Sequence, residues 1–400
     1  MLNNCSMSMA VFSVAACLAL AGFGWGNARA DPLNLAVDRA VVMDFDSGLV
    51  VYAKKADEPM PPSSMSKLMT MLMVFEALER GELQLDQLLK VSDNAWRVGG
   101  AATGGSTMFL RPGQEVAVAD LMRGVIIVSG NDACVVLAEA LAGSEAAFAD
   151  KMTARAQELG LATARFRNST GLTAEGHEIS PRDLAKLAQI ILQRFPDHAA
   201  LYAERSFRFN NVTQQNRNPL LGAYRGADGL KTGYTAAAGY GLVATAIANG
   251  QRMITVFNGA ESQAKRAEIA KQLMDAALTQ ARAIRIAEPG AKLASAPVLM
   301  GRKIEVALTV EAPIVLGLMQ PARDSLRVQA RLVGPIKAPI VKGQKLGVLR
   351  VSADGADPID APLLAAEDVA RAPWYARALA LLSVWTKGEG GVQQAQEAGA

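Results

Sequence analysis

The sequence predicts a mixed α/β domain, then a small all-β sandwich, then an amphipathic helix at the C-terminus. The chain has 400 residues, more than one ordinary hydrophobic core holds, so two domains are expected. Residues 33–283 alternate between strand and helix patterns, which is typical of a mixed α/β unit. From Ala287 onward prolines are frequent and the apolar runs are short and alternating, which predicts small antiparallel strands.

The first unit begins with a strand, a turn at Ser47-Gly48 and a second strand. The predicted elements follow in this order: strands over 40–46 and 49–53, a helix over 66–80, buried apolar stretches over 121–128 and 133–142, a helix over 180–195, strands over 241–248 and 253–258, a helix over 264–282, and in the second unit strands over 304–310, 326–333 and 346–351. Gly81 ends the first helix, and Ser180-Pro181 begins the helix over 180–195 because serine caps a helix and proline fits its first turn. Asn249-Gly250 lies between two apolar runs and predicts a tight hairpin.

The N-terminus has the pattern of a secretory signal peptide. Residues 9–23 are apolar apart from Ser13, and Ala28 and Ala30 fit an A-x-A cleavage site, so the mature chain is expected to begin at Asp31. No Lys or Arg precedes the apolar run, so an uncleaved membrane anchor is the alternative. The predicted divisions are 1–30 for the signal peptide, 31–283 and 284–362 for the two domains, and 363–400 for a linker, a helix at about 371–387 and a flexible tail.

Composition excludes several classes of function. The net charge is +3 and basic residues are scattered among acidic ones, unlike the clustered Lys and Arg of a nucleic-acid-binding protein. Two histidines and three cysteines form no metal-ligand pattern, so neither a metal site nor another cofactor is expected. Removal of the signal peptide leaves Cys134 as the single cysteine, which predicts an exported protein without an internal disulfide.

The predicted C-terminal helix has one apolar face. At the helical period that face carries Trp374, Tyr375, Ala378, Leu381, Leu382 and Trp385. The stretch is too short to span a bilayer, and Trp and Tyr favour the membrane interface. It therefore predicts attachment to a membrane surface, with packing of this face on the β-rich domain as the alternative.

Ser64 and Lys67 form the first candidate catalytic pair. They are three residues apart at the start of a predicted helix, so their side chains share one face and can meet. A serine hydroxyl needs a base to become a good nucleophile, and lysine is such a base when burial beside another cation lowers its pKa. About one S-x-x-K is expected by chance in a chain of this length, so the pair needs support from other motifs.

Two further motifs supply that support. Ser129-Gly130-Asn131 follows an apolar run, where a loop between buried elements can present both polar side chains. Lys231-Thr232-Gly233 lies at the start of a predicted strand after Asp228-Gly229, and such a strand offers a cation, a hydroxyl and backbone N–H groups to a substrate. S-x-x-K, S-x-N and K-T-G, in this order, are typical of class A β-lactamases and penicillin-binding proteins.

With these motifs the chain resembles the D-alanyl-D-alanine carboxypeptidases, which are low-molecular-mass penicillin-binding proteins. The resemblance runs from about Leu33 to the C-terminus and is carried by PPSSMSKLMT at 61–70, MFLRPGQEV at 108–116, GVIIVSGNDAC at 124–134, FRNSTGLTAEGH at 166–177, QQNRNPLL at 214–221 and DGLKTGYT at 228–235. It implies that residues 31–283 form a β-lactamase-like serine peptidase domain that removes the terminal D-alanine from peptidoglycan pentapeptide stems. It also implies covalent inhibition by β-lactams and a periplasmic location, peripherally attached to the outer face of the inner membrane.

The resemblance also implies roles for individual residues. The implied catalytic residues are Ser64 as nucleophile, Lys67 as base, Ser129 as proton relay, Asn131 as partner of the substrate amide and Lys231 as the neighbouring charge. The implied substrate-binding residues are Thr232 and Arg217 for the terminal carboxylate, Gly233 within the K-T-G strand, and Tyr234, whose backbone N–H would form the oxyanion hole with that of Ser64. Tyr234 stands where some relatives have histidine, and a surface arginine is the plainer interpretation of Arg217. His177 and His198 receive no role.

Three alternatives stay open. A class A β-lactamase needs a deacylating glutamate, and residues 166–171 contain none, so a penicillin acyl-enzyme is expected to hydrolyse slowly. A peptidoglycan D,D-endopeptidase that cuts cross-links is the second, although such relatives usually lack a β-rich second domain. A non-catalytic wall-binding scaffold is the third, and a fluorescent penicillin distinguishes it because a scaffold forms no acyl bond.

Overall fold

The structure is a computed structural model that describes residues 31–375. The predicted signal peptide and most of the predicted C-terminal helix lie outside the described residues. In the first part of this range the elements are β1 (Arg39–Asp44), β2 (Val50–Lys54), α1 (Lys67–Glu79), β3 (Leu88–Lys90), α2 (Asp93–Gly99), β4 (Glu115–Ala117), α3 (Val118–Ile126), α4 (Asn131–Ala142), α5 (Glu145–Glu158), α6 (Pro181–Arg194), α7 (Pro196–Ala199), β5 (Ser206–Phe209), β6 (Val212–Gln215), β7 (Ala227–Thr235), β8 (Gly239–Ala248), β9 (Gln251–Ala260) and α8 (Gln263–Gln280).

One antiparallel sheet organises this first part. Its strand order is β2-β1-β9-β8-β7, so β2 and β7 are its two edges. Helix α8 packs on one face, in a core that includes Phe257 and Leu273. Helices α1 and α6 lie on the other side, in a larger core that includes Leu72, Leu187 and Val256. The predicted mixed α/β architecture is confirmed.

Helix α1 lies inside the larger core. Ten of its 13 residues are buried, and a helix that is apolar on nearly all sides is a core helix. It begins one residue later than predicted, because Ser63–Ser66 form a 3₁₀ turn. This turn packs against β7, so the start of the central helix and the edge strand are fixed to each other.

Local signals explain two other elements. The Ser180 side chain accepts a hydrogen bond from the Asp183 N–H, and Pro181 is the first residue of α6, as the capping pattern predicts. Between β8 and β9, Asn249 and Gly250 have φ values of +52° and +76°. Both central residues are thus left-handed, as a type I′ hairpin turn requires.

The second part of the chain is a β-sandwich. Its strands are β10 (Ala281–Ala287), β11 (Ala294–Pro297), β12 (Glu305–Thr309), β13 (Ile314–Met319), β14 (Arg327–Leu332), β15 (Lys345–Ser352) and β16 (Ile359–Ala365). A five-stranded sheet of order β11-β12-β16-β15-β14 faces the pair β10-β13, and both contribute to one core that includes Leu316 and Val351. The predicted sandwich is therefore confirmed.

Backbone pairing in the sandwich extends beyond residue 362, where the sequence analysis placed a linker. Ile340 pairs with Val369, and Gly301 pairs with Arg371. The bounds of the two domains stay predictions. No helix within residues 31–375 has both the length and the apolar character needed to cross a membrane.

The sandwich contacts the first unit along β2. The Ala53 N–H donates to the Gly355 carbonyl at 2.7 Å, and Arg182 bonds both Asp57 and Asp357. One edge of the main sheet is thus covered by the sandwich. At the other edge no described strand pairs with the outer side of β7, which leaves backbone groups for an added strand.

Candidate active site

A 3₁₀ turn places Ser64 beside Lys67. The turn spans Ser63–Ser66, and Lys67 is the first residue of α1. Residues i and i+3 eclipse in 3₁₀ geometry, and Lys67 Nζ donates a hydrogen bond to Ser64 Oγ at 3.0 Å. The motif spacing thus brings the hydroxyl and the amine together through a tighter turn than the predicted α-helix.

Lys67 is completely buried at the centre of the site. Its Nζ also donates to Asn131 Oδ1 at 2.8 Å and to the Thr170 carbonyl. Burial lowers the pKa of Lys67, because desolvation disfavours the ammonium, and the positive charge of Arg217 lowers this pKa further. A lysine with a lowered pKa has an unprotonated fraction that can accept the proton of the serine.

The S-x-N motif joins α3 to α4. Ser129 is buried with a left-handed backbone, φ +62°, and its Oγ has no hydrogen-bond partner among residues 31–375. Asn131 is the first residue of α4, and its N–H donates to the Ser106 carbonyl at 2.8 Å. Buried hydroxyl groups usually have a partner, so the Ser129 hydroxyl is available to a substrate or to a proton in transit.

The K-T-G motif lies in the middle of β7, not at the start of a strand. Asp228-Gly229 has a turn-like sequence, but the strand continues through it with a register irregularity between Ala227 and Gly229. The motif is therefore held by pairing with β8 before, along and after its three residues, with Lys231 opposite Val243.

Gly233 allows the 3₁₀ turn Ser63–Ser66 to pack directly on β7. A Cβ atom at this position would lie 2.9 Å from the Pro62 carbonyl oxygen and 3.0 Å from Ser63 Cβ. Real Cβ contacts are rarely so short, so a side chain here would push the turn away from the strand. Glycine thus sets the distance between Ser64 and the K-T-G strand.

Lys231 is a second buried amine. Its Nζ donates to the Thr232 carbonyl at 3.2 Å. Burial lowers its pKa well below the usual value, and the charges of Lys67 and Arg217 add to this effect. The charge of Lys67 therefore disfavours the charged form of Lys231.

Arg217 and Tyr234 are both exposed. Arg217 donates to Ser106 Oγ, and the carbonyl of Ser106 accepts from Asn131, so Arg217 is linked to the S-x-N motif through one residue. Tyr234 is 53% exposed, and its ring stacks on that of Tyr240 at 4.1 Å between centroids.

Direct hydrogen bonds join three of the predicted site residues, Ser64, Lys67 and Asn131. The other predicted site residues have no direct hydrogen bond to these three.

Comparison with known proteins settles the family. The model of D-alanyl-D-alanine carboxypeptidases matches residues 26–262, and that of the penicillin-binding protein 5 C-terminal domain matches residues 283–371. The chain is 34% identical to the D-alanyl-D-alanine carboxypeptidase DacF of Bacillus subtilis over 358 residues, 87% of this chain and 90% of the relative. It belongs to this carboxypeptidase family.

Solved structures agree with this assignment. Penicillin binding protein 5 from Haemophilus influenzae has a TM-score of 0.61 and 32% identity, with 84% of this chain and 98% of that chain covered. Penicillin-binding protein D2 from Listeria monocytogenes, in its ampicillin-bound form, has a TM-score of 0.53 and 29% identity, covering 61% and 98%. The protein is thus an enzyme, a D-Ala-D-Ala carboxypeptidase of the serine hydrolase type, as the motifs implied.

The carboxypeptidase has a fourth cation that sequence analysis missed. Arg266 lies in the first turn of α8, is only 6% exposed, and its Nε has no hydrogen-bond partner in the described range. Burial lowers its pKa, and the charge of Arg217 adds to this. No carboxylate between residues 31 and 375 lies within ion-pair distance of Lys67, Lys231, Arg217 or Arg266. Nothing in the local sequence distinguishes this arginine from the other basic residues of the helix, Lys265 and Lys271.

His177 was also missed, and it supports the turn that carries Ser64. The buried ring accepts the Arg167 N–H at Nδ1, at 3.1 Å, so the proton of the neutral ring is on Nε2. Nε2 then donates to Ser66 Oγ at 2.7 Å, and Ser66 Oγ donates to the Ser63 carbonyl at 2.9 Å. This chain of bonds fixes both ends of the 3₁₀ turn. Across residues 31–375 there is no His, Cys, Asp and Glu cluster suited to a metal ion.

Proposed function

We propose that this enzyme removes the terminal D-alanine from peptidoglycan pentapeptide stems through an acyl-enzyme on Ser64. The observation that carries the proposal is the 3.0 Å contact between Ser64 Oγ and the buried amine of Lys67. Burial lowers the pKa of Lys67, which is what a general base beside a serine nucleophile requires.

In the acylation step, Ser64 Oγ attacks the carbonyl carbon of the penultimate D-alanine while Lys67 takes the hydroxyl proton. Backbone N–H groups of Ser64 and Tyr234 stabilise the oxyanion, as the family resemblance implies. The C–N bond then breaks, and Lys67 passes its proton through Ser129 to the leaving amine of D-alanine, which leaves Lys67 neutral for the next step. The products of this step are an ester on Ser64 and free D-alanine.

In the deacylation step, water attacks the ester carbonyl and Lys67 accepts a proton from this water. The C–O bond to Ser64 breaks, Ser64 Oγ regains a proton, and the shortened stem leaves with a new carboxylate. Asn131 Oδ1 accepts from Lys67, so its Nδ2 is left to donate to a carbonyl of the stem. The extended stem would lie along the free edge of β7.

The terminal carboxylate of the stem would bind beside Thr232 and the unpaired cations. Arg266 is buried, Arg217 lies at the surface of the site with its pKa lowered by partial desolvation, and neither has a carboxylate partner in the described chain. A substrate anion relieves this repulsion, so the cations favour a peptide with a free C-terminus. A stem that ends in D-Ala-D-Ala carries such a carboxylate next to the scissile bond, which supports carboxypeptidase activity.

We also propose that β-lactams acylate Ser64 and leave slowly. The ampicillin-bound relative from Listeria monocytogenes supports this. Residues 166–171 supply no carboxylate to activate water, and Asn168 Oδ1 is bonded to the Thr170 and Gly171 N–H groups. Without a glutamate in this loop, the β-lactam acyl-enzyme lacks the deacylating base of the class A β-lactamases.

Free D-alanine is the measurement that tests the function. The purified mature enzyme, incubated with a pentapeptide ending in D-Ala-D-Ala, should release D-alanine, and Ser64→Ala should abolish both this release and labelling by a fluorescent penicillin. A cross-linked muropeptide dimer measures endopeptidase activity in parallel. Wild-type turnover by Ser64→Ala would remove the acyl-enzyme from the mechanism.

We further propose a periplasmic location, with attachment to the outer face of the inner membrane through residues 371–387. The apolar face that begins at Trp374 supports this. Arg371 pairs with Gly301 and donates to the Ala338 carbonyl, so a truncation after Pro373 keeps these contacts. The truncated enzyme should be active and should sediment with membranes much less than the full mature chain after a salt wash; equal sedimentation of the two proteins would contradict attachment through this segment.

A further inference from the structure

Large apolar side chains are exposed at one end of the sandwich. Leu299, Met300 and Ile304 lie between β11 and β12, and Val341 lies between β14 and β15. Ile304 is 82% exposed and Val341 is 64% exposed. Single exposed apolar residues are ordinary, but a group of them on adjoining loops indicates a binding surface.

Backbone hydrogen bonds make these loops neighbours. The Leu299 N–H donates to the Ile336 carbonyl at 2.8 Å, and the Ala338 N–H donates to the Leu299 carbonyl at 3.0 Å. The Val298 N–H donates to the Ile304 carbonyl at 2.7 Å. The apolar tips are therefore held in place by the sandwich, since their backbones are bonded on both sides.

The same loops hold the segment through which the chain leaves the sandwich. The Ala372 N–H donates to the Met300 carbonyl at 2.9 Å, and Ile340 pairs with Val369. Trp374, which is 74% exposed, and Tyr375 follow at once. We call the segments 299–305, 337–342 and 367–375 the exit surface.

Basic residues outnumber acidic ones on the exit surface. The five basic residues are Arg302, Lys303, Lys337, Lys342 and Arg371, and the three acidic residues are Glu305, Glu367 and Asp368. Glu367 is paired with Lys303, and Asp368 accepts the Lys342 N–H. The remaining charge of the surface is positive, which suits an anionic partner.

We propose that the exit surface inserts its apolar tips into the interface of an anionic lipid bilayer. Aliphatic tips, flanking Lys and Arg, and exposed Trp and Tyr are together the side chains that suit the boundary between headgroups and acyl chains. The chain that leaves this surface carries the amphipathic residues 374–387, so a bilayer that receives them lies against the exit surface. The interface of an anionic bilayer matches all three features at once.

A second membrane contact through the exit surface would restrict the orientation of the enzyme, which the C-terminal helix alone would not. A helix connected by a single backbone bond leaves the catalytic unit free to rotate, whereas a second, rigid contact limits the orientation of the Ser64 site above the lipid. One weak signal gives reversible binding, and two together give stable attachment. The inference rests on the proposed membrane attachment through residues 371–387 and does not depend on Ser64 chemistry.

Fluorescence of a probe at residue 341 tests insertion in the full mature chain. Cys134 is buried, so Val341→Cys is the site that an environment-sensitive thiol dye labels. With vesicles of phosphatidylethanolamine and phosphatidylglycerol, we expect a blue shift and quenching by lipids brominated on the acyl chains. Leu88→Cys is the matched control, because Leu88 is 58% exposed on β3 and should show neither effect.

Binding of unlabelled protein supplies the second measurement. Ile304→Glu with Val341→Glu should weaken binding to anionic vesicles about tenfold or more, whereas Leu88→Glu should leave it unchanged. Both variants should still be labelled by fluorescent penicillin, which separates this result from a failure of the proposed function. No acyl-chain quenching at residue 341, or equal vesicle binding by the double variant, would overturn the proposal; a dye shift that depends on protein concentration without lipid would identify a second copy as the occupant instead.

Discussion

Protonation of His177 should lower the stability of the enzyme below neutral pH. The ring is buried and holds the turn of Ser64 through Ser66. Burial lowers the pKa of His177 from 6.5 to about 4, and the positive charges of Lys67 and Arg167 contribute. The unfolded chain binds a proton near the ordinary pKa, but the folded enzyme does not, so this stability is fully present above about pH 6.5 and is lost as the pH falls towards about 4.

The size of this loss of stability follows from the lowered pKa of His177. The free energy of unfolding should be roughly 2 kcal/mol lower at about pH 5 than at about pH 7.5, and the loss should approach ~3 kcal/mol at about pH 4. Denaturant unfolding, followed by tryptophan fluorescence at several pH values, measures it. His177→Gln removes the titrating ring, so its stability should change less with pH than that of the wild type.

His198→Gln is the control for this experiment. His198 lies in α7 and stacks on Phe75, away from the hydrogen bonds of Ser66. Its variant should keep the pH dependence of the wild type. If His177→Gln and the wild type lose equal stability between pH 7.5 and pH 5, the buried neutral ring is not the cause, and the reasoning fails.

Three other substitutions test the site. Lys67→Arg keeps a cation but cannot lose its proton, so the rate of penicillin labelling should fall by about 10² to 10⁴; a near-normal rate would make Lys67 electrostatic only. Gly233→Ala should lower the free energy of unfolding by about 1–3 kcal/mol and slow labelling, whereas Gly334→Ala, with open space around it, should change neither; equal effects would refute the close-approach argument. Arg266→Gln should raise KM for the pentapeptide about tenfold with little change in kcat, and an unchanged KM would exclude contact with the carboxylate.

The parts of the molecule that short-range rules control could be predicted from sequence. The hairpin at Asn249-Gly250 and the cap at Ser180 depend on a few adjacent residues. The pairing of Ser64 with Lys67 depends on a spacing of three. The position of the K-T-G motif within β7 was harder to predict, because pairing with β8 overrides the turn-like sequence of Asp228-Gly229.

Contacts between distant segments could not be predicted in this way. His177 reaches Ser66, and Arg266 reaches the carbonyl of Arg217, only after the chain has packed. His177 lies in the FRNSTGLTAEGH segment, which carries part of the family resemblance. The sequence did not show that its ring would bond to Ser66 and to the Arg167 N–H. For Arg266 even the segment gave no signal, since its neighbour Lys265 is also basic and the sequence does not show which of the two is buried.

Four basic groups without a carboxylate partner lie at the Ser64 site or beside it. These groups repel one another when charged, and desolvation lowers the pKa of all four. Folding with all four groups charged therefore costs free energy. Packing on both faces of the sheet, with α1 buried on nearly all sides, offsets this cost. The same repulsion that destabilises the fold keeps an unprotonated fraction of Lys67 and favours a substrate that brings its own carboxylate. The enzyme thus places a locally unfavourable charge arrangement where the reaction uses it.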